Sequence, residues 1–351
     1  MEKSEKLPNI FTSKLPWSDA THNIWPATLF MLRRNLTSHR FPAKLTPKQA
    51  NEVLEDMKKS FSSFQILSSE SLTPHNKELI FEHFFLTEGF EKQDEGRAFI
   101  VDHSGQFLGL VNLEDHLHLH TFSFEQDFIK TWKSLSHLEK KLSKELGFSY
   151  SPRFGYLTSD PDFCGTGLLV QAYLHLPALL HLEKFAEILE SLPEDLTVKG
   201  LGENSEYLAD FVIIENKYTL GVTEESILKS VQESAAKFAL AEDLQRKKLD
   251  PEELLLLKDK IARSYGLLSN ACSLQAGEAL SALSLIHLGK ELNWIKNASS
   301  FHFFDLFFSS RRAHLAEHTK DIGITNKHLS SVRAHHLRKE IAPLNPDNLF
   351  L

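Results

Sequence analysis

The sequence predicts a mixed α and β body followed by an all-helical tail. Three observations carry this. Apolar, β-prone runs bounded by turn residues recur up to residue 222, a long run of 3.6-residue period interrupts them, and helical spacing continues from Thr223 almost to the end. Composition shifts near Leu249-Asp250-Pro251, which sets the expected boundary between a body over 21–249 and a helical part over 250–351.

Residues 1–20 carry charges and prolines without periodicity, which predicts an extended arm. Residues 28–36 begin apolar and end in the basic pair Arg33-Arg34. Thr46 then opens a helix as N-cap, with Pro47 at the first helical position and Val53, Leu54 and Met57 on one face. Residues 97–102 and 107–120 read as two antiparallel strands of a central sheet, joined by a His-Ser-Gly turn. Between 124 and 146, Phe128, Trp132, Leu135, Leu138, Leu142 and Leu146 recur at helical spacing, so a long amphipathic helix covers one sheet face.

The most motif-like stretch is 155–177. A proline-containing loop runs into Gly165-Thr166-Gly167 and an apolar run, the pattern of a loop feeding a buried strand, with glycines permitting close approach of a ligand or another chain. Leu168, Leu169 and Val170 put apolar groups where a phosphate loop needs charge, and no Lys-Ser/Thr follows. Next come a helix over 179–191, a glycine-containing connection over 197–206, and two strands about Asn216-Lys217 forming a hairpin. Helices over 223–248, 251–268, 276–288 and 326–340 complete the chain.

With 351 residues, 42% hydrophobic and 25% charged, a sizeable soluble core is expected. A net charge of −8 argues against a generic nucleic-acid or anionic-membrane surface. No apolar run approaches a membrane span. Two cysteines and a charged N-terminus point to a reducing cytoplasm. Cys272 lies on an apolar stretch and is expected in the core; Cys164 precedes the Gly-Thr-Gly turn. The 26 phenylalanines predict an aromatic core, and the 18 histidines ordinary surface positions. His116, His118 and His120 alternate as zinc ligands can, but a solvated polar face is the expectation and no metal is assigned.

Several segments in order resemble the ATP:guanidino phosphotransferases, specifically the bacterial McsB-type protein-arginine kinases. They are Arg34-Asn-Leu with Phe41-Pro, Asn112-Leu-Glu-Asp-His116, Gly155-Tyr-Leu-Thr-Ser, Gly165-Thr-Gly-Leu, Leu174-His-Leu-Pro, Gly200 through Glu206, Thr219-Leu-Gly, Arg263-Ser-Tyr-Gly-Leu and Arg333-Ala334. The resemblance implies an α+β fold: a phosphagen-kinase-like antiparallel sheet flanked by helices, then an all-helical domain that dimerises. It also implies transfer of the ATP γ-phosphoryl group to a guanidinium, chemistry in which arginines and Mg²⁺ neutralise phosphate oxygens while a carboxylate holds the acceptor.

The arginines are missing. Leu29 and Met31 stand where the family's two strand arginines are expected, His118 and Leu169 where two more are expected, and Lys199 replaces a fifth without the bidentate fork. Asp160 occupies the reactive cysteine's position. Glu114 and Glu203 match the guanidinium-orienting carboxylates, and Arg34 the family's Ala-Arg-Asn arginine. Of the phosphoarginine-sensing motif only Arg333-Ala334 remains, with Leu329 and Ser330 in place of Arg-Asp. One such arginine is worth roughly 10³ to 10⁵ in rate. The resemblance therefore implies a pseudokinase without cofactor, a cytoplasmic dimeric scaffold or regulator in protein quality control, partnered by an McsA-like zinc-containing activator or Clp-type chaperone and protease machinery. Two readings stand beside it: an active protein-arginine kinase binding Mg-ATP through Lys199, Arg33 and Arg34, and a binding module for another ligand in a cleft lined by Leu29, Met31 and Leu169.

Overall fold

The computed structural model describes residues 7–8, 11, 15, 17–86, 95–125, 127–320, 326–346 and 349, without the side chains of 203, 326 and 327. Ten strands are present among them: β1 (Ala27–Arg34), β2 (Gln65–Ser68), β3 (Ala98–Val101), β4 (Phe107–Val111), β5 (Leu117–Ser123), β6 (Tyr150–Ser151), β7 (Gly155–Tyr156), β8 (Leu168–His175), β9 (Leu196–Gly200) and β10 (Phe211–Asn216). Eight form one sheet in the order β2-β3-β4-β5-β1-β8-β10-β9, with β6 and β7 a separate pair. Every pairing in the large sheet is antiparallel.

Alternation along β1 sorts the two faces. Phe30 and Leu32 point into a core closed by helices α1 (Pro47–Ser60) and α3 (Ile129–Leu146), which precede and follow α2 (Pro74–Phe84). In chain order, short α4 (Pro177–His181) and α5 (Phe185–Leu189) then lead to β9, and α6 (Glu224–Lys247) adds Val231 and Phe238 to that core. Leu29 faces the other way, toward a second core that joins the sheet to the C-terminal helices. These are α7 (Pro251–Asn270), α8 (Ala276–Glu291), α9 (Phe303–Ser309), α10 (Arg312–Thr319) and α11 (Asn326–Ile341). Their packing residues include Leu257, Ile261, Leu283, Phe303 and Phe307.

Helix starts follow local chemistry. Thr46 accepts from the Gln49 amide while the Gln49 side chain accepts from Thr46, a capping box ahead of Pro47, and Thr223 with Ser226 and Asp250 with Glu253 do the same for α6 and α7. The α1 face buries Val53, Leu54 and Met57, and α3 buries Trp132, Leu135 and Leu142, as their spacing predicts.

Several expectations are corrected. Residues 107–120 are not one strand: Asn112, at φ 55, turns the chain so that β4 and β5 pair with each other. The helix expected over 179–191 breaks into α4 and α5 where Glu183 adopts φ 57. Residues 197–200 belong to edge strand β9, whose partner is β10, so no hairpin forms about Asn216-Lys217. Cys272 is exposed beyond the end of α7. Nor are the histidines mainly superficial: His83, His116, His118, His120, His175, His287 and His314 are all buried.

Trp17 is 2% exposed, and its ring meets Phe85, Phe122, Tyr173, Phe211, Phe304 and Phe308 at centroid distances of 5.0 to 6.0 Å. It joins the sheet to α9. Among the described residues no helix is long and apolar enough to cross a membrane.

Candidate functional site

A cleft of about 950 Å³ opens between the sheet and the C-terminal helices. Its floor is the β5-β1-β8 face. Register places Leu29 opposite Phe122 and Gln171, Met31 opposite His120 and Leu169, and Arg33 opposite His118. The side-chain period of two therefore brings Leu29, Met31, Arg33, His118, His120 and Leu169 onto one surface, and all of them line the cleft. Glu114, Asp160, Lys199 and Arg333 line it too. Positions scattered through the sequence thus converge.

Glu114 lies in the Asn112 to His116 turn between β4 and β5. Arg33 Nη1 donates to Glu114 Oε2 at 3.1 Å and sits 4.0 Å from Asp115 Oδ2. The Arg33 guanidinium also rests 3.8 Å above the Phe163 ring. Asp115 is fully buried beneath this pair, and its Oδ1 accepts from Asn35 Nδ2 and from the Ser159 amide, each at 2.6 Å. Burial pushes that carboxyl upward, but His118, the Ser159 amide and Asn35 outweigh it and hold the carboxyl below its usual range.

Lys199 reaches across from β9, with Nζ 2.8 Å from Glu215 Oε2. The same carboxylate accepts from Gln171 Nε2 at 2.6 Å. Both strand cations facing the cleft, Arg33 and Lys199, are therefore spoken for by carboxylates. His118 and His120 stack at 6.3 Å, and burial, reinforced by the charges of His118 and Arg33, keeps His120 neutral well below its ordinary pKa. They are buried, not the solvated face expected. His116 turns elsewhere, accepting from the Leu36 amide at Nδ1. Burial, with the nearby His39 charge, lowers it to about 4. Among the described residues no group of three His, Cys, Asp or Glu side chains is placed to hold a metal ion.

Arg34, the other residue expected to contact nucleotide, is placed as a structural pin away from the cleft lining. It alternates onto the opposite face from Arg33, is 1% exposed, and lies 3.6 Å above the Tyr156 ring. Its Nε donates to Glu139 Oε1 at 2.9 Å, and its Nη1 to the carbonyls of Arg33 and Thr166. The glycines of the loop serve this packing. A Cβ at Gly167 would fall 2.7 Å from Arg34 Nη1, and one at Gly165, φ +106, only 2.1 Å from the Thr219 carbonyl oxygen. The close approach is to the Arg34 side chain and to the backbone of Arg33 and Thr219.

Asp160 caps the turn Pro161–Phe163, accepting from the Asp162 amide at 3.0 Å. Ser159 Oγ donates to the Glu114 carbonyl at 2.6 Å, which ties that loop to the β4-β5 turn. Cys164 is half-buried and lies 3.4 Å from Thr158 Oγ1. Glu203 belongs to the turn Glu203–Ser205, but its side chain lies outside the described residues. Arg333 donates from Nε to the Ser310 carbonyl at 2.7 Å and from Nη1 to the Leu274 carbonyl at 2.8 Å. No spacing in the sequence marks Asp115 or Glu215, whose importance comes from cross-strand pairing; Arg33 was legible from its alternation with Leu29 and Met31.

Comparison with known proteins follows the same lines. Residues 46–245 match the ATP:guanido phosphotransferase, C-terminal catalytic domain, and residues 255–349 the protein-arginine kinase McsB C-terminal domain. The chain is 35% identical over 343 residues to a protein-arginine kinase of Chlamydia pneumoniae, covering 94% of this chain and 95% of that one. It is 34% identical over 328 residues to that of Chlamydia muridarum, covering 92% of each. Among solved structures, lombricine kinase superposes with a TM-score of 0.55 at 20% identity over 72% of this chain and 75% of its own. The duplicated taurocyamine kinase of Schistosoma mansoni, with bound transition-state-analogue components, gives 0.58 at 20% identity over 75% of this chain and 41% of that chain. These structural likenesses show the fold.

Proposed function

The chain belongs to the ATP:guanido phosphotransferase family in its protein-arginine kinase branch, and we propose that within that branch it is a pseudokinase. One observation carries this reading: the cleft floor presents Leu29, Met31, Leu169 and neutral His120, while its strand cations are paired with Glu114 and Glu215. Phosphoryl transfer depends on positive charge preorganised around the triphosphate and its Mg²⁺. The part of the floor formed by Leu29, Met31 and Leu169 offers none, and phosphate oxygens buried against it find no donors there.

Arg33 adds a second obstacle. It stands at the position of alanine in the family's Ala-Arg-Asn, and its guanidinium occupies Glu114, the carboxylate that the resemblance assigns to orienting a substrate guanidinium. An incoming arginine must displace it. We assign residues 250–351 to dimerisation and infer a cytoplasmic scaffold or regulatory role in protein quality control, with an McsA-like activator or Clp-type machinery as partner. No Mg-ATP is needed for it.

The test is incubation of the full chain with Mg-ATP and an arginine-rich protein, followed by mass spectrometry for phosphoarginine. The expected signal equals that of Glu114→Gln. Phosphoarginine that appears with the parent protein and disappears in Glu114→Gln would establish the active alternative, in which Arg33 and Lys199 grip ATP.

A further inference from the structure

We propose that this cleft binds an apolar carboxylate, a medium-chain fatty acid or its like, with the carboxylate on Arg311 and the tail over Leu29, Met31 and Leu169. The inference rests on the pseudokinase reading, since it requires a cleft free of ATP, and it names that site's ligand class.

Arg311 enters the cleft from the corner between α9 and α10. Its guanidinium lies 5.0 Å above the Phe85 ring and, among the described residues, donates no hydrogen bond and makes no ion pair within 4.0 Å. Its neighbours differ. Arg312 Nη1 reaches both Glu78 oxygens at 3.0 Å. Arg333 spends Nε and Nη1 on carbonyls, and by holding Ser310 it fixes the backbone beside Arg311. Glu82, on the same wall, accepts from the Ala313 and His314 amides at 3.0 and 3.2 Å and from His314 Nδ1 at 2.7 Å. A guanidinium carries five donors in a fork matched to a carboxylate, so enclosing it without a partner is costly and one bound carboxylate removes the cost. Burial lowers the Arg311 pKa, against the opposing pull of Glu82 and Glu78.

A largely apolar track leads away from this charge, interrupted by Gln171, whose amide is held by Glu215 and by the Tyr173 hydroxyl. Phe85 lies 5.7 Å from the Tyr173 ring, and from Tyr173 strand β8 runs to Leu169, which pairs with Met31. Four residues at about 3.3 Å each give about 13 Å of floor. The cleft volume suits a small molecule. A polyphosphate would need several free cations, whereas a carboxylate needs one.

Calorimetric titration of the full chain with octanoate and decanoate tests this. Decanoate should bind, with affinity rising roughly fourfold per added methylene. Arg311→Gln should weaken decanoate roughly tenfold or more while leaving decanol unchanged. Met31→Lys, remote from the α9-α10 corner, should abolish the chain-length gain. Absence of decanoate binding, or an Arg311→Gln protein that binds it as the parent does, overturns the inference while leaving the pseudokinase reading in place. Tight Mg-ADP binding removes both.

Discussion

Arg33 Nη1 lies 3.1 Å from Glu114 Oε2, so the carboxylate expected to orient a guanidinium substrate is already bound to a guanidinium of its own chain. The two side chains are 21% and 49% exposed, which leaves the pair accessible to solvent. An ion pair so placed contributes little to stability, about 1 kcal/mol at most. Arg33→Ala should therefore lower the unfolding free energy in urea by no more than that, and a larger loss would mean that Arg33 serves the core.

Arg34 gives the opposite expectation. Its pair with Glu139 is buried, with side-chain exposures of 1% and 8%. Arg34→Met leaves the Glu139 carboxylate buried and unpaired, at a cost of about 3 to 5 kcal/mol. Replacing both residues by methionine should recover much of it. A single variant with parental urea stability would show that Arg34 is not a structural pin.

Acid sensitivity follows from the buried histidines. His287 stacks on Phe303 at 4.6 Å with both ring nitrogens unpartnered among the described residues, and burial, with the Arg246 and Lys290 charges, holds its pKa well below 6.5. Burial likewise takes His83 to about 3. Below pH 6.5 the unfolded chain gains protons that the folded chain refuses, so stability present above that pH falls as the solution is acidified, by at most about 1.4 kcal/mol per pH unit per histidine. For His83 the loss ends near pH 3. His287→Phe removes one such group. Its melting temperature should drop less between pH 7 and pH 5 than that of the parent, and an equal drop would contradict the assignment.

Trp17 bridges the sheet and α9. Trp17→Ala empties the centre of that aromatic cluster and should cost about 3 to 5 kcal/mol. A thermal melt within a degree of the parent would refute its role.

Much of the sheet was legible. Alternation along residues 28–34 gives β1 its two faces, and the capping residues Thr46, Thr223 and Asp250 mark their helices. The positive φ of Glu183 was not, because glutamate carries no preference for the left-handed region and only tertiary packing selects it there, whereas Asn112, of a type enriched in that region, was a turn signal inside the 107–120 run. Of the site, family-matched positions fell together on the floor, since a shared strand register is what such a motif encodes. Arg33 and Arg34 form one basic pair in the sequence, and only strand alternation separates the cleft-facing Arg33 from the buried Arg34. Arg311 and Trp17 act through contacts with segments far away in the chain, and no local pattern announces those.

Calorimetric titration of the full chain with Mg-ADP tests the central claim most directly. With the strand arginines gone and Arg33 and Lys199 held by Glu114 and Glu215, the expected result is no measurable heat of binding. Tight, Mg²⁺-dependent binding that weakens in Lys199→Ala would contradict the claim and return the protein to the working kinases.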